Sequence, residues 1–332
     1  MTARYDVAAV GNAIVDVISP CQDGFLDDQG LAKGAMTLID EERAGRLYDA
    51  MAAGVEASGG SSANTAAGVA SFGGRAAYMG KVADDDLGRV YATDMQTIGV
   101  AFPHAPLSGG PATGRCLINV TPDGQRTMAT YLGAASLFGP DDVDPAIVEA
   151  SAVSYLEGYL FDPLDARRAF AKTAALARGS DRQIALTLSD AFVVDRHRGA
   201  LIGFIEAEVD VLFANEAEIM SLFETSDFDA CVRQIGAMTK VAALTRSELG
   251  SVIVAAAEPL QIPAEPVSKV VDTTGAGDQY AAGFLLGLAR GLPLGDCGRL
   301  GSIAAAEVIS HYGPRPLVPL KELAQRAGVI AA

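Results

Sequence analysis

Short apolar runs alternate with amphipathic stretches along the C-terminal half of the chain. A short, continuously apolar run is typical of a strand buried on both faces of a sheet, and amphipathic periodicity is typical of a helix packed against it. Repeated strand–helix–strand spacing, without a linker rich in Pro, Gly or Ser, predicts one α/β domain over residues 1–332, with a central, mostly parallel sheet and helices on both faces. The predicted elements of this half are strands at 152–157, 183–188 and 209–214, helices at 163–178 and 196–206, and a helix that begins at 215.

The first strand has the clearest pattern of the N-terminal half. Residues 7–10 are continuously apolar and lead into Gly11-Asn12, as expected for a buried strand of a parallel sheet. The further elements predicted for this half of the main layer are a strand at 77–82 and helices at 41–53, 61–72 and 86–98.

A second, smaller sheet is predicted beside the main one. The runs 116–120 and 126–132 flank the turn signal Asp123-Gly124 and predict a hairpin. Residues 36–39 alternate weakly between apolar and polar side chains, which favours a further short strand. We expect these pieces to form a small β-sheet lid built from about 13–39 and 105–132.

One stretch near the C-terminus combines two features that phosphoryl transfer needs. Residues 270–272 are predicted to end a strand, and a tight turn with Gly275 and Gly277 leads into a helix. The two glycines lack Cβ, so the backbone can approach a ligand closely while the free N–H groups of the helix start face an anion. Asp278 stands in the first helical turn, where the helix dipole favours a carboxylate; we expect it to be ionised at neutral pH and able to accept a proton.

Donors for a phosphate beside a carboxylate for a hydroxyl proton are suited to phosphoryl transfer to an alcohol. An ordinary Gly-rich turn with an acidic first-turn residue would explain the same residues, so the flanking residues decide between this interpretation and a phosphoryl-transfer site. Asp272-Thr273-Thr274-Gly275-Ala276-Gly277-Asp278, followed by a small apolar helix, resembles the C-terminal signature of the ribokinase-like carbohydrate and nucleoside kinases, the phosphofructokinase B type.

The N-terminal signature of these kinases has its counterpart in Gly59-Gly60-Ser61-Ser62-Ala63-Asn64-Thr65-Ala66, followed by 73–74, 80–82 and 84–88. Two long signatures in the family's order, roughly 200 residues apart, are highly specific. The resemblance covers nearly the whole chain. It implies the ribokinase-like fold, ATP as the phosphate donor and Mg²⁺ as its companion ion.

The resemblance also assigns residues to the acceptor. Asp16 falls where an acidic residue past the first strand holds ribose or sugar hydroxyls, and an ionised carboxylate can accept two hydroxyl hydrogens at once. Ser61 is explained equally well as a helix cap, and the residues of the apolar wall that a purine needs are explained equally well as core. The substrate-binding set implied is Asn12, Ile14, Asp16, Gly60, Ser61, Asn64, Cys116, Leu132 and Phe192.

A second set faces the nucleotide. Arg126 corresponds to an arginine that reaches the phosphates as the site closes, although a hairpin arginine usually lies on the surface. Glu218 belongs to an N-x-x-E element that helps to organise Mg²⁺ through water, and Asn215 as a helix N-cap would explain the same letters. Ser247 replaces the first glycine of a T-x-G-x-x-G element. The catalytic set implied is Asp278, Gly275, Ala276, Gly277 and Arg126; the cofactor-binding set is Asn215, Thr245, Thr273, Thr274, Gly275 and Gly277; and the carbonyl oxygens of Asp272 and Gly313 are candidates for a K⁺ site.

The acceptor is narrowed by finer similarities. Stretches 113–116, 125–136, 187–192 and 209–215 are more similar to adenosine kinases than to ribokinases, which implies ATP-dependent phosphorylation of the 5′-hydroxyl of adenosine and a place in purine salvage. Thr274, Leu160 and Met36 depart from the pattern of many animal adenosine kinases. Another nucleoside, or a sugar such as ribose, fructose or a sugar acid, therefore stays open as the acceptor.

Other protein classes explain the chain less well. The Gly275-x-Gly277 turn lacks the third glycine of a dinucleotide-binding oxidoreductase, and the chain has no Walker-type G-x-x-x-x-G-K-[ST] element. A non-catalytic nucleoside-binding protein would have no need of Asp278.

Composition and charge exclude some partners. The net charge of −16 and the pI of about 4.5 disfavour binding to a nucleic-acid backbone or an anionic membrane surface. The expected partners are therefore a small-molecule acceptor and ATP, and the expected oligomeric state is a monomer or homodimer. The N-terminus is polar and no stretch of ~20 apolar residues occurs, so neither a signal peptide nor a membrane span is expected. Four cysteines without a C-x-x-C pair indicate free thiols in a reducing cytoplasm, and three histidines give no zinc cluster.

Overall fold

The computed structural model describes residues 3–255 and 258–331, so the first two residues of the polar N-terminus lie outside it. Its strands are β1 (Tyr5–Val10), β2 (Ile14–Pro20), β3 (Met36–Leu38), β4 (Val55–Gly59), β5 (Ala76–Met79), β6 (Val100–Ala101), β7 (Thr113–Val120), β8 (Arg126–Gly133), β9 (Ser151–Glu157), β10 (Gln183–Thr187), β11 (Val211–Asn215), β12 (Val241–Thr245), β13 (Ser251–Val254) and β14 (Leu260–Ile262). Its helices are α1 (Asp23–Asp28), α2 (Glu41–Ala50), α3 (Ser61–Ser71), α4 (Asp86–Thr97), α5 (Pro145–Glu149), α6 (Leu164–Gly179), α7 (Ala191–Glu208), α8 (Glu216–Leu222), α9 (Phe228–Ile235), α10 (Ala276–Ala289), α11 (Leu294–Val308) and α12 (Leu320–Arg326).

The larger sheet confirms the predicted α/β architecture. Its order is β14-β13-β12-β11-β10-β9-β1-β5-β6. The strands from β12 to β6 run parallel, and β13 and β14 add an antiparallel edge. Since parallel strands place their carboxyl ends on one edge, the loops after β1, β9, β10 and β11 open on the same side of the molecule.

Two hydrophobic cores cover the two faces of this sheet. Successive side chains of a strand point to opposite faces. In β1, Val7 and Ala9 therefore belong to the core that contains Phe284 of α10, whereas Ala8 and Val10 belong to the core that contains Phe170 of α6. Burial on both faces explains why β1 is continuously apolar.

The smaller sheet contains five strands in the order β3-β8-β7-β2-β4. β7 and β8 form the predicted hairpin, with Gly124 in the turn at φ 82°. One strand lies outside the predicted bounds of 13–39 and 105–132, because β4 pairs antiparallel with β2 along Ile14–Ile18. Its sequence, Val-Glu-Ala-Ser-Gly, alternates apolar and polar residues, but the run is short and its one large apolar side chain, Val55, is exposed, so its strand conformation depends on that pairing.

Two local predictions are wrong. Residues 270–272 are not a strand, because the N–H of Val271 donates to the carbonyl of Ile309 at the end of α11 at 2.8 Å instead of joining the sheet. Helix α7 begins at Ala191 rather than at 196, because the Asp190 side chain accepts from Phe192 N at 2.7 Å and caps the helix there. Among the helices of residues 3–255 and 258–331, none combines the length and the apolar character needed to cross a membrane.

Candidate active site

Asp278 lies where the two predicted signatures meet. It stands in the first turn of α10, and its carboxylate faces the first turn of α3. Ser61 Oγ donates to Asp278 Oδ1 at 2.6 Å, and Asn64 Nδ2 donates to Asp278 Oδ2 at 3.1 Å. Both helices are buried along most of their length, which fixes the relative position of the three side chains.

The Asp278 carboxyl titrates near neutral pH. Burial raises its pKa to about 7; the hydrogen bonds from Ser61 and Asn64 lower it, and the negative charges of Glu157 and Asp16 raise it further. A pKa of about 7 leaves the carboxyl only partly ionised at neutral pH, whereas the sequence led us to expect the ionised form. The helix dipole acts on Asp278, but desolvation and two further carboxylates from other elements outweigh it.

The glycine turn before α10 has the conformation that its sequence predicts. Gly275 adopts φ 80° and ψ −1°, and a Cβ at this position would lie 2.6 Å from Pro314 Cα. Glycine is required there both for the left-handed backbone and for the close approach. Gly277 differs, because no atom lies within 4 Å of the place its Cβ would occupy. Gly277 thus exposes its backbone, beside Ala276, to open space.

The Asp272 side chain holds this turn from behind. Its Oδ1 accepts from Thr274 N at 3.0 Å and from Thr274 Oγ1 at 2.7 Å, and its Oδ2 accepts from Gly313 N at 3.0 Å. Although burial alone would raise the pKa of Asp272, these hydrogen bonds and the charge of Arg126 lower it. Thr273 is exposed beside the turn. The predicted K⁺ ligands, the carbonyl oxygens of residues 272 and 313, thus belong to two segments that are hydrogen-bonded to each other.

Arg126 joins the smaller sheet to the glycine turn. Its Nη2 lies 2.9 Å from Asp272 Oδ2, and its guanidinium carbon lies 5.6 Å from the ring centroid of Tyr312. The side chain is buried, and Nε and Nη1 have no hydrogen-bond partner among the described residues. Two buried, unpaired N–H donors next to a glycine turn are suited to an anion.

The residues predicted to bind the acceptor lie mainly on β2 and at the start of α3. Asp16 lies on β2, and burial raises its pKa to about 6, while the charges of Arg315 and Arg126 lower it. Among the described residues, no donor makes a hydrogen bond to its carboxylate. Close packing against Gly59, where a Cβ would lie 2.5 Å from the carboxylate, fixes its orientation. The two carboxylate oxygens of Asp16 are therefore held in place without a protein donor among the described residues.

Asn12 is engaged differently from the prediction. Its Nδ2 donates to Glu157 Oε1 at 2.9 Å, and Glu157 Oε2 accepts from Ser62 N at 3.0 Å and Ser62 Oγ at 2.9 Å. Glu157 is fully buried at the end of β9, so it fastens the loop after β1 to the start of α3. Gly60, with φ 97°, lies between the loop after β1 and the start of α3. Asn12 is thus buried and bound to Glu157, whereas Ile14, at the start of β2, stays partly exposed.

The predicted apolar wall is only partly assembled. Cys116 lies opposite Asp16 in the β2–β7 register and is buried, with Thr130 Oγ1 donating to its Sγ at 3.2 Å. Leu132 is half-buried on β8. Phe192 does not complete the wall, because it lies in the first turn of α7 with 74 % of its surface exposed. The sequence pattern around it placed an aromatic side chain near the site but did not give its direction.

Two adjoining cavities lie beside the glycine turn. The smaller, of about 90 Å³, is lined by Asp278, Ser61, Gly277, Glu218 and Thr187 among others. The larger, of about 810 Å³, shares Gly277 and Thr245 with the smaller one and is walled mainly by apolar side chains such as Val267, Val270 and Ile309. Its size and lining are suited to a nucleotide-sized ligand. Ser247 lines it with φ 50°, a backbone conformation that favours the glycine expected there.

Glu218 and Asn215 form a helix cap at this cavity. Asn215 Oδ1 accepts from Glu218 N at 2.9 Å, Asn215 N donates to Glu218 Oε2 at 2.9 Å, and Asn215 Nδ2 donates to Glu218 Oε1 at 2.6 Å. Burial raises the pKa of Glu218 to about 7, and the charges of Asp190 and Asp278 add to that effect. The capping explanation of these residues is confirmed, and both carboxylate oxygens of Glu218 are occupied by it.

No cluster of three or more metal-ligating side chains occurs within residues 3–255 and 258–331, and Cys21, Cys116, Cys231 and Cys297 are free. Two site residues were not predicted. Glu157 is the last residue of an otherwise apolar strand, and a charged residue in such a run was the one signal for it. Arg315 lies between two prolines, and nothing in its local sequence indicates that it reaches α3.

Comparison with solved structures shows close similarity over the whole chain. The crystal structure of adenosine kinase from Sinorhizobium meliloti is 51% identical, with a TM-score of 0.90, and the match covers 98% of this chain and all of that one. A probable sugar kinase from Rhizobium etli is 48% identical, with a TM-score of 0.91 and coverage of 99% and 100%.

Sequence comparison extends the similarity to a yeast protein. An adenosine kinase from Saccharomyces cerevisiae is 27% identical over 336 residues, which covers 95% of this chain and 97% of the yeast protein. The model of the pfkB family of carbohydrate kinases matches residues 32–321. The protein is thus a phosphotransferase that acts on an alcohol group, as its sequence predicts, and it belongs to the pfkB family of carbohydrate kinases.

Proposed function

We propose that the protein transfers the γ-phosphoryl group of ATP to the 5′-hydroxyl of adenosine, giving AMP and ADP. The observation that carries this proposal is the position of Asp278, whose carboxylate is held by Ser61 and Asn64 on the wall of a cavity that Gly277 also lines. In the reaction, the 5′-oxygen forms a bond to the γ-phosphorus, and the bond from that phosphorus to the β–γ bridging oxygen breaks. The hydroxyl proton passes to Asp278, and ADP leaves.

The titration of Asp278 is suited to a general base. A base is most effective when its pKa lies near the working pH, because it must be deprotonated often enough and still accept a proton in the transition state. The pKa of about 7 meets this condition better than an ordinary carboxyl pKa would. Of the predicted backbone donors, Gly275 and Gly277 would hold the transferring phosphoryl group through their N–H groups as its charge develops, whereas the N–H of Ala276 already donates to the carbonyl of Thr273 at 3.2 Å.

The acceptor assignment rests on Asp16, the wall beside it and the relatives. Asp16 has no protein hydrogen bond among the described residues, so both of its oxygens are free for the ribose hydroxyls. Cys116 lies opposite Asp16 on β7, and Leu132 is half-buried on β8, so we infer that these two side chains contribute to the apolar wall for a base. The similarity to the adenosine kinases of Sinorhizobium meliloti and Saccharomyces cerevisiae supports adenosine in particular.

The nucleotide set fits ATP and Mg²⁺. Arg126 has two unpaired, buried N–H groups for phosphate oxygens, and Thr245 and Gly277 line the larger cavity. Glu218 and Asp278 line the smaller cavity, and the negative charge of Asp278 raises the pKa of Glu218, so a divalent cation between them would offset their repulsion. Because Asn215 occupies both Glu218 oxygens, Glu218 would hold Mg²⁺ through water. Mg²⁺ would neutralise phosphate charge. K⁺ at the carbonyls of residues 272 and 313, a cytoplasmic location and a monomeric or dimeric state remain predictions.

A sugar kinase is the alternative, acting on ribose, fructose or a sugar acid. Two observations favour it: Phe192 is 74 % exposed and so offers no closed aromatic wall, and the probable sugar kinase from Rhizobium etli is 48% identical. ADP release measured with adenosine, inosine, ribose and fructose at equal concentration separates the two. We expect the highest kcat/KM with adenosine; a strong signal with a sugar beside none with adenosine would falsify the nucleoside assignment.

The role of Asp278 is tested by Asp278→Asn, which keeps the shape of the side chain but removes the base. We expect kcat to fall by roughly 10² to 10⁴. Asp296→Asn is the matched control, because Asp296 is also the acidic first-turn residue of a helix, α11, and forms only a distant pair with Arg299 at 3.9 Å. An Asp278→Asn enzyme within fivefold of wild type would remove Asp278 from the mechanism.

A further inference from the structure

A chain of hydrogen bonds connects the smaller sheet to Asp278, and Arg315 is its central member. Arg315 Nη1 donates to Asp94 Oδ2 at 3.0 Å, and Asp94 Oδ2 also accepts from Ser58 N of β4 at 2.8 Å. On its other side, Arg315 Nε donates to Asn64 Oδ1 at 3.2 Å. Asn64 Nδ2 in turn donates to Asp278 Oδ2 at 3.1 Å. The five residues come from β4, α4, the loop after α11, α3 and α10.

The loop that carries Arg315 is fixed at both ends. Before Arg315, Gly313 N donates to Asp272 Oδ2 at 3.0 Å. After it, Leu317 N donates to Glu307 Oε1 at 3.0 Å. The Arg315 side chain itself is only 18% exposed. A short loop tied down on both sides can hold a guanidinium at a defined position, whereas a free surface arginine cannot.

The chemistry of the amide makes this position consequential. An asparagine side chain presents an oxygen and an NH₂ group that exchange places when the amide turns over, and only the NH₂ group can donate to a carboxylate. Arg315 can only donate, so it selects the orientation in which Asn64 Oδ1 faces Arg315 and Nδ2 faces Asp278. In the opposite orientation, an amide oxygen would face the Asp278 carboxylate.

We propose that Arg315 is a positioning residue for the proton-accepting carboxylate: it orients the Asn64 amide toward Asp278, and through Asp94 it ties that orientation to the smaller sheet. This inference rests on the proposed role of Asp278 as the base. The same guanidinium lies close enough to Asp16 to favour its ionised form, so both carboxylates on the acceptor side depend on one arginine.

The first test is Arg315→Met, with Arg315→Lys as the conservative variant. Loss of one to two charge-assisted hydrogen bonds should lower kcat by about 10- to 100-fold with adenosine, while KM for ATP changes by less than about twofold. Arg315→Lys should recover part of the loss, because an ammonium can still donate to Asn64 Oδ1. Arg326→Met is the matched control: Arg326 on α12 is 70% exposed and pairs with Glu322 at 3.0 Å, so its loss should leave kcat unchanged.

A double-mutant cycle with Asn64→Ala shows whether Arg315 acts through Asn64. If it does, Arg315→Met should reduce kcat much less in the Asn64→Ala background than in the wild type. Losses that multiply to within about twofold would mean that the two residues act independently and would overturn the proposal. Thermal unfolding checks that each variant is folded, and if Arg315→Met is not, the same cycle is run with Arg315→Lys.

The two proposals fail in different ways. Full activity of Asp278→Asn would remove the base, whatever the Arg315 variants do. An inactive Asp278→Asn together with independent effects of Arg315 and Asn64 would leave the base in place and refute only the role of Arg315.

Discussion

Replacing Asp278 by Asn should make the protein more stable at alkaline pH while it abolishes most of the activity. The carboxyl is half-buried, accepts only two hydrogen bonds and lies near Glu157 and Asp16, so its ionised form is unfavourable in the folded protein. An asparagine is neutral at every pH. Its Oδ1 can accept from Asn64 Nδ2, and its NH₂ group can donate to Ser61 Oγ, so the substitution leaves no polar group unpaired.

The direction and the magnitude of this stability difference follow from the pKa of Asp278. The pKa rises from its ordinary value of 3.8 to about 7, so the folded protein holds the proton where the unfolded chain has already released it. The contribution of Asp278 to the free energy of unfolding therefore falls as the pH rises from about 4 to about 7, and stays constant above that. At about 1.4 kcal/mol per pKa unit, the whole shift corresponds to about 4 kcal/mol, which partial exposure of the side chain reduces to about 2 kcal/mol.

Urea unfolding of wild type and Asp278→Asn at several pH values between 5 and 8 measures this effect. Subtracting the two curves removes the titrations that the proteins share, and the stability advantage of Asp278→Asn should grow by about 1 to 2 kcal/mol across this range. Asp296→Asn should show no such pH-dependent difference. A constant difference between Asp278→Asn and wild type from pH 5 to pH 8 would show that Asp278 keeps an ordinary pKa and that its burial carries no energetic cost.

Two further predictions concern the glycine turn and the acceptor. Gly275→Ala should lower the free energy of unfolding by about 1 to 3 kcal/mol, because Gly275 has φ 80° and no room beside Pro314. Gly277→Ala should keep or slightly raise stability, because Gly277 lies in helix α10 with room for a Cβ, and it should raise KM for ATP; equal melting temperatures for the two variants would contradict this. Asp16→Asn should lower kcat/KM for adenosine tenfold or more, because each lost hydrogen bond to a ribose hydroxyl costs about 1.5 to 3 kcal/mol. The same substitution should have no effect with 2′,3′-dideoxyadenosine, which lacks these hydroxyls. An equal loss with both nucleosides would refute the assignment of Asp16 to the ribose.

Features that local sequence determines were predictable. The apolar run of β1, the Asp123-Gly124 hairpin turn and the glycine turn before α10 each depend on neighbours in the chain, and the structure contains all three. A left-handed glycine followed by a buried small-residue helix needs no tertiary information beyond the close approach of Pro314. The main sheet was therefore predictable, as was the turn on which the proposed chemistry depends.

Features that depend on residues distant in the sequence were not predictable. β4 is a strand because β2 pairs with it, and residues 270–272 are not one because Val271 is bound to the end of α11. The pKa of Asp278 shows the same limit: the helix dipole is visible in the sequence, but Glu157 and Asp16 approach from β9 and β2. Arg315 reaches Asn64 across 251 positions of sequence, and no local pattern indicates that contact.

The site combines two kinds of group that are unfavourable in the folded chain alone. Asp278, which is half-buried, and Glu218, which is buried, are carboxyl groups whose pKa values rise to about 7, and Arg126 is a buried guanidinium whose Nε and Nη1 have no hydrogen-bond partner among the described residues. A bound phosphate ester and its cation would offset both unfavourable terms, because the phosphate would pair with Arg126 and the cation would reduce the repulsion between the carboxylates. A site optimised for stability would remove both, for example by Asp278→Asn. Retaining them reserves the interaction energy for the bound state, and electrostatic catalysis requires such groups to be in place before the substrate arrives.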